Sequence, residues 1–175
     1  MNEGAVCSPQ IYGKILLVDQ EKCRACRTCE LVCSFFKSGE CNPAKSRIHS
    51  ERWEDKTFLG KSITRVCQQC TPPACKVVCP SGAITLDQNT GAMLVDHIAC
   101  KGCGLCINAC PFGAVRRDPE KGIPLICDLC GGKPKCVEWC PANAILYVPV
   151  TWSSLTKKRE WATALLSTIS ESRQA

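Results

Sequence analysis

Sixteen of the eighteen cysteines in this 175-residue chain fall into four groups of four. The groups are Cys23, Cys26, Cys29 and Cys33; Cys67, Cys70, Cys75 and Cys79; Cys100, Cys103, Cys106 and Cys110; and Cys127, Cys130, Cys136 and Cys140. Groups one and three share the spacing C-x2-C-x2-C-x3-C, and groups two and four lengthen only the middle gap, with TPPA and GGKPK. Three thiolates within about seven residues let one loop wrap three corners of a cuboidal cluster while backbone N–H groups point at its sulfurs. The spacing is that of [4Fe–4S] ligation. A tetrahedral zinc site needs no third cysteine at that interval, and zinc ribbons use separated C-x2-C pairs. Each group supplies four thiolates, so no iron is left open for a substrate, and the chemistry expected is the movement of single electrons.

In the bacterial ferredoxin pattern the fourth cysteine of each run ligates the other cluster, which locks two runs into one unit. Groups two and three read as such a unit. CPSGAITLD, the turn residues Gln88-Asn89-Thr90-Gly91 and AMLVD predict a hairpin that leads into the next run, CKGCGLCINACP. This assigns Cys67, Cys70, Cys75 and Cys110 to one cluster, and Cys100, Cys103, Cys106 and Cys79 to another. Folding the two remaining groups together assigns Cys23, Cys26, Cys29 and Cys140 to a third, and Cys127, Cys130, Cys136 and Cys33 to a fourth. The strands IYGKILLVD and AILYV would frame that outer unit. Pairing group one with two and three with four is the alternative, and it would have to absorb the long charged stretch 34–66.

Within 34–66, Ile48–Trp53 and Phe58–Val66 predict a polar hairpin around Glu54-Asp55-Lys56, either a solvated flap or a surface that docks another subunit. From Pro149 the chain has no cysteine. Ser153 or Ser154 is a candidate N-cap for a helix with Leu155, Ala162, Leu165 or Leu166 and Ile169 on one stripe and Lys157, Lys158 and Arg159 elsewhere. Such a helix packs on its own protein or on a partner. Trp139 is a candidate cover for a cluster, and Arg24, Arg27 and Lys101 lie inside the candidate binding loops. His49 and His97 are isolated, and Cys7 and Cys41 fall outside the four groups and are read as free thiols.

The composition agrees with metal rather than with an ordinary apolar core. The hydrophobic fraction of 45% includes the cysteines, and without them about 35% remains. The opening MNEGAVCSPQIYGK has neither a basic region nor an apolar run, and ILLV at 15–18 is strand-length, so neither a secretory signal nor membrane insertion is expected. Disulfides are therefore not expected, and a cytoplasmic location is. The formal charge of +6 counts every cysteine as neutral. Four clusters, each contributing about −2 with its thiolates, bring the total to about −2, so the basic balance does not argue for nucleic acid. No G-x-G-x-x-G dinucleotide fingerprint is present.

The ordered groups CRACRTCELVC, CQQCTPPACKVVCP, CKGCGLCINACP and CDLCGGKPKCVEWCP resemble the four-cluster ferredoxin-like electron-transfer subunits of multi-subunit molybdenum and tungsten oxidoreductases, over residues 11–148. The resemblance implies the pairing of groups one with four and two with three. The short chain and the segment CRTCELVCSFFKSGECNPAKSRI are most similar to the small subunit accompanying tungstopterin enzymes of the aldehyde ferredoxin oxidoreductase family, class II benzoyl-CoA reductases included. Cys41 lies in that segment without a role. The expected fold is α+β: two pseudo-symmetric bacterial-type two-cluster ferredoxin lobes, the outer from 11–33 with 119–148 and the inner from 67–118. An inserted hairpin at 34–66 and a C-terminal helical tail at 149–175, a docking helix, complete it. The expected cofactors are four [4Fe–4S] clusters. They would relay single electrons between a large tungsten- or molybdenum-pterin catalytic subunit and a flavin subunit or a soluble ferredoxin. The chain itself would have no substrate site. A free-standing polyferredoxin and a zinc-binding structural module are the alternative readings.

Overall fold

In the computed structural model, which describes residues 13–53 and 61–172, the strands form four separate antiparallel pairs rather than one sheet. Strand β1 (Lys14–Val18) pairs with β8 (Ile145–Pro149), in register from Lys14 opposite Pro149 to Val18 opposite Ile145. The two ends of the cysteine-bearing region are thereby closed together. The run KILLV buries its last four residues, because Leu16 and Val18 join a core that holds cysteines while Leu17 faces the C-terminal helical segment around Trp161 and Leu165. Between them come β2 (Ile48–Trp53) with β3 (Lys61–Val66), β4 (Ile84–Leu86) with β5 (Met93–Val95), and β6 (Arg116–Arg117) with β7 (Pro124–Leu125). The expected hairpin between groups two and three is the β4–β5 pair, and the short β6–β7 pair had no signal in the sequence.

The helices follow the cysteine groups. Helix α1 (Thr28–Ser38) runs for 11 residues, whereas α2 (Ala74–Val77), α3 (Leu105–Asn108) and α4 (Lys135–Glu138) have 4 each. Pro80, Pro111 and Pro141 follow the last cysteine of groups two, three and four and cannot continue a helix. Ser34 stands at that place in group one, so α1 continues until Gly39, at φ 74°, closes it with its N–H on the Phe35 carbonyl.

The stretch between groups one and two is not a solvated flap. Its first residues complete α1. The hairpin β2–β3 buries Ile48, His49, Ser50, Ile63, Thr64 and Val66, and the turn expected at Glu54-Asp55-Lys56, with Phe58, lies outside the described residues. Ile48 and Val66 join Leu16, Val18, Leu129, Ile145 and the cysteines Cys29, Cys33 and Cys136 in one core. A second core gathers Ile84, Met93, Val115 and Ile126 with Cys106. The charges that made the segment look polar in sequence sit at its edges: Glu51 pairs with Arg65 and Arg116, and Lys45 with Glu40 and Glu120.

Helix α5 (Trp152–Ser172) forms as expected but begins earlier. Thr151 is its cap: the Ser154 N–H donates to Thr151 Oγ1 at 3.2 Å while the Thr151 N–H donates to Ser154 Oγ at 2.8 Å. This reciprocal pair moves the cap from Ser153 or Ser154 to Thr151. Leu165 and Ile169 are buried against Ile63 with Phe112 alongside, whereas Leu155 and Leu166 are exposed. The inward stripe therefore also takes in Lys158, which lines the gap to β1 with Trp161 and Gln68. Among the described residues no helix is long and apolar enough to cross a membrane.

Candidate metal centres

The four cysteine loops repeat one backbone device. The second residue between the first two cysteines is left-handed in every group: Ala25 at φ 49°, Gln69 at 50°, Gly102 at 65° and Leu129 at 54°. Only one of the four is glycine, and each of the others holds a conformation that L-residues adopt at a cost of about 1 kcal/mol or more. At Gly102 a Cβ would also stand 3.3 Å from the Gly122 carbonyl oxygen, a tight approach that favours glycine there. The left-handed turn curls each loop so that its N–H groups and its cysteines face inward together.

Groups one and four meet in crossed fashion. One cavity, with about 320 Å³ of free space opening to the surface, is walled by Cys23, Cys26 and Cys29 and by Cys140 from the far end of the chain. A second, with about 330 Å³ of free space that likewise includes open solvent, is walled by Cys127, Cys130 and Cys136 and by Cys33. Cys67 is pushed up to about 12, by burial first and then by the charges of Cys70, Cys75 and Cys110. Cys106 is raised by burial and by Cys75, Cys100 and Cys103. Cys79 packs against the same core as Cys106. Cys41 is exposed, and Cys7 lies outside the described residues.

Adjacent sets also sense one another. Cys106 is raised in part by Cys75, Cys127 in part by Cys67, and Cys136 in part by Cys29, in each case after the larger effect of burial. These influences link Cys106 with Cys75, Cys127 with Cys67, and Cys136 with Cys29. Cys103 and Cys26 are exposed, whereas the Cys67 and Cys127 sets keep no exposed cysteine.

The lining fits an anionic cluster. Thiols held up by burial, Cys29 to about 12 and Cys33, Cys127 and Cys136 also upward, are costly to ionise alone and lose their protons when a metal takes them. Arg47 Nη1 is buried with no hydrogen-bond partner, and Arg47 lines the Cys33 cavity. Gln69, inside the Cys67 loop, likewise has both amide atoms buried and unpartnered. Backbone donors already point at sulfur: the Arg47 N–H lies 3.3 Å from Cys33 Sγ, and the Ala144 N–H 3.3 Å from Cys140 Sγ. No three His, Cys, Asp or Glu side chains among the described residues close on one metal ion. Ligands at the corners of a cuboidal core stand farther apart than those around a single ion.

Of the other residues singled out in the sequence, Trp139 is 54% exposed and lines neither of these two cavities. Arg27 is tied to Glu30 at 2.8 Å. His49 is buried at 3% exposure with Nε2 unpartnered. Nothing in the sequence pointed to Ser50 and Thr64, whose hydroxyls meet Cys23 Sγ.

The profile of the family described as 4Fe-4S dicluster domain matches residues 60–150. The polyferredoxin-like subunit of aliphatic sulfonate oxidoreductase from Pyrococcus furiosus is 43% identical over 134 residues, which cover 76% of this chain and 75% of that one. A component of anaerobic dimethyl sulfoxide reductase from Escherichia coli K12 is 34% identical over 154 residues, covering 79% of this chain and 74% of its own length. Among solved structures, the active-site complex BamBC of benzoyl coenzyme A reductase with 1,5-dienoyl-CoA aligns over 79% of this chain and 76% of that one, with 27% identity and a TM-score of 0.44.

Proposed function

Because this chain belongs to the 4Fe-4S dicluster domain family, we propose that it is an electron-transfer subunit whose sixteen grouped cysteines hold four [4Fe–4S] clusters in series. The ligand sets are Cys23, Cys26, Cys29 with Cys140; Cys127, Cys130, Cys136 with Cys33; Cys67, Cys70, Cys75 with Cys110; and Cys100, Cys103, Cys106 with Cys79. The first two sets belong to an outer lobe of 11–33 with 119–148, and the last two to an inner lobe of 67–118. The observation that carries this reading is the pair of matched cavities, each walled by three cysteines of one run and the last cysteine of a run about a hundred residues away. When bound, such clusters supply one-electron exchange with little rearrangement.

The chain's own part is to hold the sets in file, to keep water from the middle ones and to leave Cys103 and Cys26 near the surface at the ends. Two ends suit two partners. We place a large tungsten- or molybdenum-pterin catalytic subunit at one, and a flavin subunit or a soluble ferredoxin at the other. Relatives that serve in aliphatic sulfonate oxidoreductase and in dimethyl sulfoxide reductase support membership of such a complex. A reducing compartment, the cytoplasm, suits eighteen thiols.

The test is anaerobic affinity purification from the native host, with iron, zinc, tungsten and molybdenum quantified and co-eluting subunits identified. About sixteen irons per chain, with a pterin metal and a large partner, is the expected result. About eight irons would reduce the proposal to two clusters, sixteen irons without a partner would make the protein a free polyferredoxin, and zinc without iron would overturn the cluster reading.

A further inference from the structure

The hairpin β2–β3 lies outside the four cysteine runs, yet its most buried polar residues face a cluster ligand. Ser50 and Thr64 are directly opposite each other across the two strands, at 2% and 1% exposure. Their hydroxyls are 3.0 Å apart. Thr64 Oγ1 is 3.1 Å from Cys23 Sγ, and Ser50 Oγ is 3.6 Å from the same sulfur. Two buried hydroxyls on facing strands are costly unless both are satisfied. Ser50 donating to Thr64, and Thr64 donating to the sulfur, satisfies both.

The arrangement is held from several sides. The Gln20 side chain accepts from the Thr64 N–H at 2.8 Å and donates to the Thr64 carbonyl at 3.0 Å, so it acts as a short added strand. Ser62 Oγ donates to the carbonyls of Gln20 and Cys23, both at 2.9 Å. The Ser50 N–H donates to Glu30 Oε1 at 2.6 Å, which ties the hairpin to α1 one residue after Cys29. Thr28 adds a hydroxyl 3.4 Å from Cys26 Sγ. Hydroxyls of Ser50, Thr64 and Thr28 thus all approach sulfurs of the Cys23 set.

We infer that the Ser50–Thr64 pair positions a hydrogen bond on Cys23 Sγ that raises the potential of the cluster at the Cys23 set, making the inserted hairpin a redox-tuning element at one end of the file. The inference rests on the proposed ligand assignment. A donor aimed at a ligand sulfur stabilises the extra negative charge of the reduced cluster more than it stabilises the oxidised one. Thr64 and Ser50 are positioning residues, since they act through Cys23.

The experiment is an anaerobic redox titration of the intact holoprotein, read by electron paramagnetic resonance, for Thr64→Val, Thr64→Ser and the unaltered chain. Valine keeps the shape and removes the donor. It is expected to move one cluster's midpoint to more negative values by about tenfold in the reduced-to-oxidised ratio at fixed potential, about 59 mV for one electron, with the other three unmoved. Thr64→Ser is expected to restore the original midpoint. Ser50→Ala, which leaves Thr64 in place, is expected to give a smaller shift in the same signal and serves if Thr64→Val fails to assemble. Cys26→Ser marks which signal belongs to the Cys23 set. Unchanged midpoints in both hydroxyl variants at full iron content, or a shift in a signal that Cys26→Ser leaves intact, would overturn the inference. Low iron in the unaltered chain would instead overturn the ligand assignment on which it rests.

Discussion

A buried sulfur that must carry negative charge needs donors or a cation beside it; most of the donors here are local, but Cys23 and Cys33 take theirs from residues distant in sequence. Cys33 takes the N–H of Arg47, and Cys140 shares a cavity with Cys23, Cys26 and Cys29. This crossing is testable one residue at a time. Cys140→Ser is expected to alter the same paramagnetic signal as Cys26→Ser, and Cys33→Ser the same one as Cys130→Ser; Cys33 grouping with Cys26 would refute the crossed sets. His49 supplies a second test. Burial first, then Arg116 and Arg65, with Glu51 opposing, hold it down from the usual 6.5 to about 4. The unfolded chain therefore binds a proton that the folded chain refuses between those values. The stability contributed is full above about pH 6.5 and is lost as pH falls toward about 4, by about 3 kcal/mol at most. Unfolding by urea at a series of pH values should show a shallower acid loss for His49→Gln than for the unaltered chain, and parallel losses would refute it.

At the scale of elements, the C-terminal helix does more than cap the fold. Leu165 and Ile169 seat α5 on Ile63 and Phe112, and that seating places Lys158 beside Gln68, in the loop between Cys67 and Cys70. Burial lowers the Lys158 ammonium and the charges of Cys67 and Cys70 oppose that lowering, so the cation and the set act on each other. Lys158→Met is expected to make the midpoint of the cluster at the Cys67 set more negative, while Lys157→Met, one residue away on the exposed face, leaves all four unchanged. Equal effects from the two would show that the helix acts by bulk charge alone. Sequence periodicity found this helix and its buried Leu165 and Ile169, but it set Lys158 outside the stripe. A lysine that buries its stem and keeps its charge beside an anionic site has the same sequence signature as one in water.

For the whole molecule, the consequence of filling the sites is a change in the sign of its charge. The bare chain is formally +6 at pH 7, and the four clusters proposed above would bring it to about −2. Native electrophoresis at pH 7 under anaerobic conditions should therefore show the holoprotein moving to the anode and the iron-free chain to the cathode. A holoprotein that remains cationic would mean fewer clusters. The same bookkeeping explains why a basic composition is no guide to partners here.

Cysteine number, spacing and grouping are local facts, and from them the sequence by itself determined the cluster chemistry, the β4–β5 hairpin between groups two and three and the strands that frame the region. Spacing of two or three residues constrains loop geometry directly, whatever the rest of the chain does. The burial of β2–β3 was not legible, because its polar residues satisfy one another across strands and to Cys23, and such pairing leaves no periodic trace. Nor were the left-handed turns at Ala25, Gln69 and Leu129, which tertiary contacts impose on residues with no preference for them. Only the tertiary structure decided what surrounds each sulfur. The hydroxyls of Ser50 and Thr64, the cation of Lys158 and the depth of Cys127 all depend on which distant segments meet, and electrostatic effects depend on distance in space rather than along the chain.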